Sequence, residues 1–276
     1  MNETAMGVHW GGAAPGVAGT ERARRRDLLH RSGVYLVTEE SLSAGRRSEQ
    51  IVEAALASGL RAIQVREKDG SARRALEIAM AVRRLTRRYG ALLIVNDRID
   101  IALAAEADGV HLGQQDLPVP AARRLIGGAA LIGLSITDPE QLKAPDAALA
   151  DCLGVGSVFP TGSKSDATLT GLALLEAARA FAFEQAAPTP PAGGTPPAGA
   201  VSPSGPALGE WLSIVAIGGI TAENAGQAVM AGADVVAVIS AITAARDPGD
   251  AAAALLEAVG AARARAESSR SAAAPR

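Results

Sequence analysis

An α/β fold, a closed (β/α)8 TIM barrel in a single domain, is what this sequence predicts, on three observations. Short runs of branched aliphatic residues alternate with alanine-rich stretches from about Gly33 onward, and such alternation marks parallel strands with helices outside them. Eight strand–helix pairs fit within roughly 230 residues, which suits a closed barrel better than an open sheet. Most of the aliphatic runs also end in charged, amide, hydroxyl or glycine residues. In parallel strands those ends gather on one rim, the face where barrels of this kind carry their chemistry.

Taken in order, strands are expected at about 34–38, 61–65, 91–95, 109–112, 131–135, 152–156, 213–217 and 234–238. Helices are expected near 48–58, 71–89, 98–106, 118–126, 138–148, 170–183, 221–231 and 249–264. Asp138-Pro139 and Asp247-Pro248 each place a capping residue before a proline suited to the first helical position. Thr221 stands as a cap after the Gly218-Gly219 turn. The arginines at 73, 74, 83, 84, 87 and 88 read as the solvated face of an outer helix.

Three segments fall outside the barrel. Residues 1–32 read as a flexible extension, in which Arg22 to Arg26 form a solvated lead-in to the first strand. Residues 184–210 consist almost wholly of Ala, Pro, Gly, Thr and Ser, too little apolar surface to offset the entropy of ordering. They read as a disordered insertion on the barrel's N-terminal side, interrupting a barrel that spans 33–264. Residues 265–276 read as a flexible tail.

Composition narrows the function. A formal charge of −2 argues against a general nucleic-acid partner. No stretch is apolar for long enough to span a bilayer, and the N-terminus lacks the pattern of a secretory signal. The single cysteine, Cys152, rules out an internal disulfide framework and suits a cytoplasmic setting. It opens an apolar strand and reads as a small core residue.

The rim residues point to a metal and phosphates. Asp97 and Asp116 follow the third and fourth strands, and two neighbouring carboxylates with room for water and phosphate oxygens are a typical Mg2+ arrangement. Arg66, Lys68 and Lys164, at the ends of the second and sixth strands, would neutralise a diphosphate. Gln64, Arg66 and Lys68 share one face of their strand and point toward the barrel mouth. Gly218-Gly219 and Ile239-Ser240 end the last two strands, where barrels often hold a phosphate on backbone N–H groups. His111, inside the fourth strand, reads as an interior histidine with a structural hydrogen bond.

Together these motifs resemble one family. Gln64-Val65-Arg66-Glu67-Lys68, Asn96-Asp97-Arg98, the stretch from Gly109 to Asp116, Gly154 to Thr161, and Ala216 to Ile220 look like thiamine-phosphate synthase. The resemblance runs from about Tyr35 to Ala258, apart from the insertion. It implies a Mg2+-dependent transferase joining an aminopyrimidine methyl diphosphate to a thiazole phosphate, with release of diphosphate. It implies that Gln64, Arg66, Lys68 and Asn96, with Ser135 and Lys164, hold the pyrimidine diphosphate. Asp97 and Asp116 would bind Mg2+. Thr161, Ser163, Gly219, Ile239 and Ser240 would hold the thiazole phosphate. Arg66, Lys68, Lys164 and Ser135 would carry catalysis by stabilising the leaving group. The family usually reads Pro-Thr-Pro-Thr-Lys where this chain has Pro160-Thr161-Gly162-Ser163-Lys164, so Gly162 implies a more mobile loop. A thiazole tautomerase on the same barrel and a non-catalytic phosphate-binding barrel are the alternatives, and Asp116 with Gln64 favours the synthase. The expected partners are the small-molecule substrates, a thiazole phosphate with or without a carboxylate among them, and a homo-oligomer stays open.

Overall fold

The structure is a computed structural model and describes residues 15–68, 70–162, 169–186 and 212–273. Eight parallel strands close into a barrel in sequence order: β1 (Val34–Val37), β2 (Ala62–Val65), β3 (Leu92–Asn96), β4 (Gly109–Leu112), β5 (Leu131–Ile136), β6 (Cys152–Val155), β7 (Ser213–Ile217) and β8 (Val235–Val238). The ring closes where Tyr35 of β1 pairs with Ala237 of β8. Every strand lies within a residue of its expected bounds, because a buried parallel strand is a short aliphatic run with polar punctuation.

The helices are α1 (Pro15–Ser32), α2 (Ser48–Ala57), α3 (Ala72–Tyr89), α4 (Ile99–Ala104), α5 (Val119–Ile126), α6 (Pro145–Leu149), α7 (Gly171–Ala186), α8 (Ala225–Met230), α9 (Ser240–Thr243) and α10 (Pro248–Ala273). The helix expected at 138–148 is divided into a 3-10 turn (Pro139–Lys143) and α6, with Pro145 opening the second piece. α3 shows why such elements form. Ser71 caps it by accepting from the Arg74 N–H, Ile78, Ala79 and Val82 are buried, and Gly90 ends it at φ 63°.

Strand side chains alternate between two cores. One set, including Leu36, Ile63, Leu93 and Leu153, packs against the outer helices. The other fills the interior with Tyr35, Val37, Ala62, Leu92, Ile94, Leu131, Cys152, Val215 and Val235. Leu29 of α1 belongs to this inner set and is 1% exposed. The N-terminal segment therefore departs from expectation: from Pro15 to Ser32 it is a helix that closes the floor of the barrel. Residues 1–14 lie outside the described residues, as do 187–211, which hold most of the expected insertion. The tail also departs, since α10 stays helical to Ala273.

Charge, rather than an apolar stripe, docks α1. Asp108, Asp151 and Asp234 stand just before β4, β6 and β8, and each accepts from a backbone N–H of the preceding strand: Leu93 at 2.9 Å, Ile132 at 2.8 Å and Ile214 at 2.8 Å. Each also pairs with an arginine of an outer helix: Arg83 of α3 at 2.7 Å, Arg123 of α5 at 2.6 Å and Arg179 of α7 at 2.5 Å. α1 adds a third contact to each. Arg25 reaches Asp108 at 3.2 Å, Arg22 reaches Asp151 at 2.7 Å, and His30 Nδ1 lies 3.9 Å from Asp234. Arg22, Arg25 and Arg26 are thus part of the barrel's ionic floor and not a solvated lead-in, while Arg24 stays exposed and pairs with Glu21 of its own helix. Arg83 likewise leaves the solvated face of α3 to join Asp108.

Candidate active site

The strands' C-terminal ends carry the polar groups to the opposite rim. Register sets the lowest layer: Asn96 of β3 pairs with His111 of β4, His111 with Gly133 of β5, and Ser135 of β5 with Gly154 of β6. Gln64 of β2 is buried, and its Nε2 donates to the Tyr35 Oη at 3.0 Å. His111 Nε2 lies 3.0 Å from Ser135 Oγ, the structural hydrogen bond expected of it.

Arg66 is also buried, and its guanidinium forms an ion pair with Glu39. Its backbone N–H donates to Thr38 Oγ1 at 3.1 Å. The sequence pattern did not single out Glu39 and Thr38. They end β1 as the other polar groups end their strands, but an acid beside a phosphate site has the wrong sign to attract notice. In the structure that acid sits against a guanidinium.

Asp97 turns the chain out of β3 at φ 61°, a left-handed conformation that aspartate tolerates, and its N–H donates to the His111 carbonyl at 2.8 Å. Its carboxyl is raised to about 6, first by burial and then by the Asp116 carboxylate beside it, against the pull of Lys68 and Arg66. Asp116 is held by a tight turn in which its Oδ2 accepts from the Gly113 N–H at 2.6 Å. Gln114, from the same turn, donates to the Ser135 carbonyl at 2.6 Å. The two expected metal ligands are therefore neighbours, with two cations close by. Among the described residues no cluster of three or more His, Cys, Asp or Glu side chains could hold a metal. A pair of hard oxygen donors suits a cation that keeps waters and phosphate oxygens in its shell.

On the other half of the rim is a cavity of about 550 Å³, lined by Ser135, Thr137, Gly154, Gly156, Ser157, the 160–162 loop, the ends of β7 and β8, and the start of α9. That volume suits one small ligand. Gly218 (φ 100°) and Gly219 (φ 63°) allow the close approach there: a Cβ on Gly219 would lie 2.3 Å from the Pro160 carbonyl oxygen. The structure thus brings Thr161, Gly219, Ile239 and Ser240 together around this cavity. Gln64, Arg66, Lys68, Asn96, Asp97 and Asp116 stand on the adjoining β2–β4 arc, and Ser135 lies between the two groups. Ser163 and Lys164 lie outside the described residues.

The family model described as thiamine monophosphate synthase matches residues 34–242. Thiamine-phosphate synthase of Haloarcula marismortui is 45% identical over 226 residues, covering 82% of this chain and 96% of that protein. The enzyme of that name from Moorella thermoacetica is 43% identical, covering 82% and 95%. The solved structure of thiamine phosphate pyrophosphorylase from Pyrococcus furiosus superposes with a TM-score of 0.67 at 34% identity, covering 87% of this chain and 98% of that one. With a barrel closed in this order and acids, cations and glycine turns on one rim, the chain belongs to the thiamine monophosphate synthase family.

Proposed function

We propose that the protein is a Mg2+-dependent transferase that couples an aminopyrimidine methyl diphosphate with a thiazole phosphate to give thiamine phosphate and diphosphate. The relatives' shared name favours this over a tautomerase or a non-catalytic barrel. One observation carries the site reading: Asp97 and Asp116 converge beside Lys68 and Arg66, on the rim that also holds the glycine-built cavity.

Asp97 and Asp116 would hold Mg2+. The fit rests on the donor set: two carboxyls side by side at the ends of β3 and β4 offer the hard oxygens that Mg2+ takes, with Asp116 held in place by the Gly113 N–H. When bound, the ion would supply positive charge to the diphosphate oxygens. Arg66, Lys68 and Lys164 would do the same from the protein side, while Ser135 donates a hydrogen bond to the departing group. Gln64 and Asn96 would hold the pyrimidine. The bond from the methylene carbon to the diphosphate oxygen breaks and its electron pair leaves with diphosphate. The electron-rich aminopyrimidine supports the cationic carbon that remains. The thiazole nitrogen, anchored through its phosphate by Thr161, Ser163, Gly219, Ile239 and Ser240, then donates its lone pair to that carbon. That nitrogen carries no proton, so positioning takes the place of a general base. The substrates are small molecules, and no helix of the described residues is long and apolar enough to cross a membrane. A cytoplasmic setting belongs to this proposal.

The test is a coupling assay on purified protein with both substrates and Mg2+, following thiamine phosphate. Asp116→Ala should lower turnover by about 10²–10³-fold, the scale of losing a charge-stabilising contact, and blunt the Mg2+ dependence. Unchanged kinetics in that variant would remove the metal assignment.

A further inference from the structure

Ser135 is held from two sides. Gln114 Nε2 donates to its carbonyl at 2.6 Å, and His111 Nε2 lies 3.0 Å from its Oγ. The imidazole reaches Oγ by lying across β5 and β6, over two positions that have no side chain. A Cβ on Gly133 would stand 2.4 Å from His111 Nδ1, and a Cβ on Gly154 would stand 2.7 Å from its Cε1. Real Cβ contacts are not this short, so the two glycines make the slot in which the ring lies. Both pair in register with neighbours of the site, Gly133 with His111 and Gly154 with Ser135.

We infer that His111 is a positioning residue, seated in the Gly133–Gly154 slot, that turns the Ser135 hydroxyl toward the diphosphate leaving group. The inference rests on the proposed contact between Ser135 and that group. Diphosphate oxygens at this site accept hydrogen bonds, so Ser135 serves them only by donating its single proton. Its oxygen must then accept from His111, which places a proton on Nε2. A hydroxyl with no such donor behind it spends part of its time pointing its proton elsewhere. In this arrangement His111 acts through Ser135.

The test is a double-mutant cycle on the full chain, read as kcat/KM for the pyrimidine diphosphate and as affinity for inorganic diphosphate with Mg2+. Ser135→Ala should lower kcat/KM by about 10²-fold. His111→Leu should produce most of that loss, whereas His111→Gln, which keeps an N–H near the Nε2 position, should recover much of it. In the Ser135→Ala background, His111→Leu should cost no more than about twofold further, since its route of action is already gone. A His111→Leu loss that simply multiplies with that of Ser135→Ala would overturn the inference and leave the function standing. So would His111→Leu with wild-type activity. Wild-type activity and diphosphate affinity in Ser135→Ala would remove the serine's role and the inference with it. Gly133→Ala is the second approach if His111→Leu fails to fold. It displaces the ring without removing it and should reproduce the loss in the wild-type background but not in Ser135→Ala.

Discussion

Asp151→Ala should be among the most damaging single changes in this chain, although it lies at the end of the barrel opposite the chemistry. The carboxylate is fully buried and accepts from Arg22 Nε at 2.7 Å, Arg123 Nη2 at 2.6 Å and the Ile132 N–H at 2.8 Å. Hydrogen bonds to a charged group contribute about 1.5–3 kcal/mol each. The arginine side chains keep 31% and 21% of their exposure, so water would re-solvate them in part once the acid is gone. The Ile132 N–H lies in the core and would have no such recourse. The expected loss is therefore about 3–5 kcal/mol, the scale of breaking a buried ion pair from one side. At about 2–4 °C per kcal/mol for a large domain, the melting temperature should fall by roughly 10 °C. Urea and thermal unfolding of the wild type, Asp151→Ala and Asp151→Asn measure this directly, with asparagine intermediate because it keeps an acceptor for the N–H. Turnover of the folded fraction should be unchanged. An alanine variant within about 0.5 kcal/mol of wild type would refute the reasoning, since that is the range of ordinary surface substitutions.

Three further outcomes are expected from the same geometry. Gly219→Ala puts a Cβ against the Pro160 carbonyl at a left-handed backbone position, and overpacking of about 1–3 kcal/mol should raise the KM for thiazole phosphate about tenfold or more. An unaltered thiazole KM would detach that turn from the thiazole phosphate. Burial, and then the Asp151 charge beside it, pushes the Cys152 thiol up to about 12, so a thiol reagent should label it only on unfolding, and rapid labelling of native protein would contradict its burial. Burial holds His30 below its usual 6.5, helped by Arg263 and Arg179 and opposed by Asp234 and Asp27. The unfolded chain then takes up that proton first, so this contribution to stability is full above about pH 6.5 and is lost on acidification. Urea midpoints from about pH 8 down to 5 should decline less steeply for His30→Gln, and parallel curves would contradict the shift.

The rim was legible in the sequence because it obeys a positional rule. A parallel barrel aligns the C-terminal ends of its strands, so noting the polar residues at the end of each aliphatic run is enough to collect Gln64, Arg66, Asn96, Asp97, Ser135 and Gly219 at one end. The floor was not legible, for an equally physical reason. Arg22 and Arg25 bind acids far along the chain, and no local period connects Arg22 with Asp151. α1 also lacks the continuous apolar stripe by which an amphipathic helix is recognised: among its residues of described exposure Ala18 and Leu29 are the buried hydrophobics, with Leu28 partly buried beside them. Glu39 was hidden by its sign: one acid near expected phosphates reads as repulsion until a guanidinium is found against it.

The three aspartates before β4, β6 and β8 have a counterpart that breaks the pattern. Before β2 the chain carries Arg61, whose guanidinium turns instead to the Leu56 and Leu60 carbonyls at 3.1 and 2.7 Å. The bolts therefore run around three quarters of the circle, and a single strut, α1, is threaded through all of them. Lifting that strut would strip an arginine from two bolts at once and uncover the third, so a truncation ahead of Gly33 would be felt well beyond the strand it precedes.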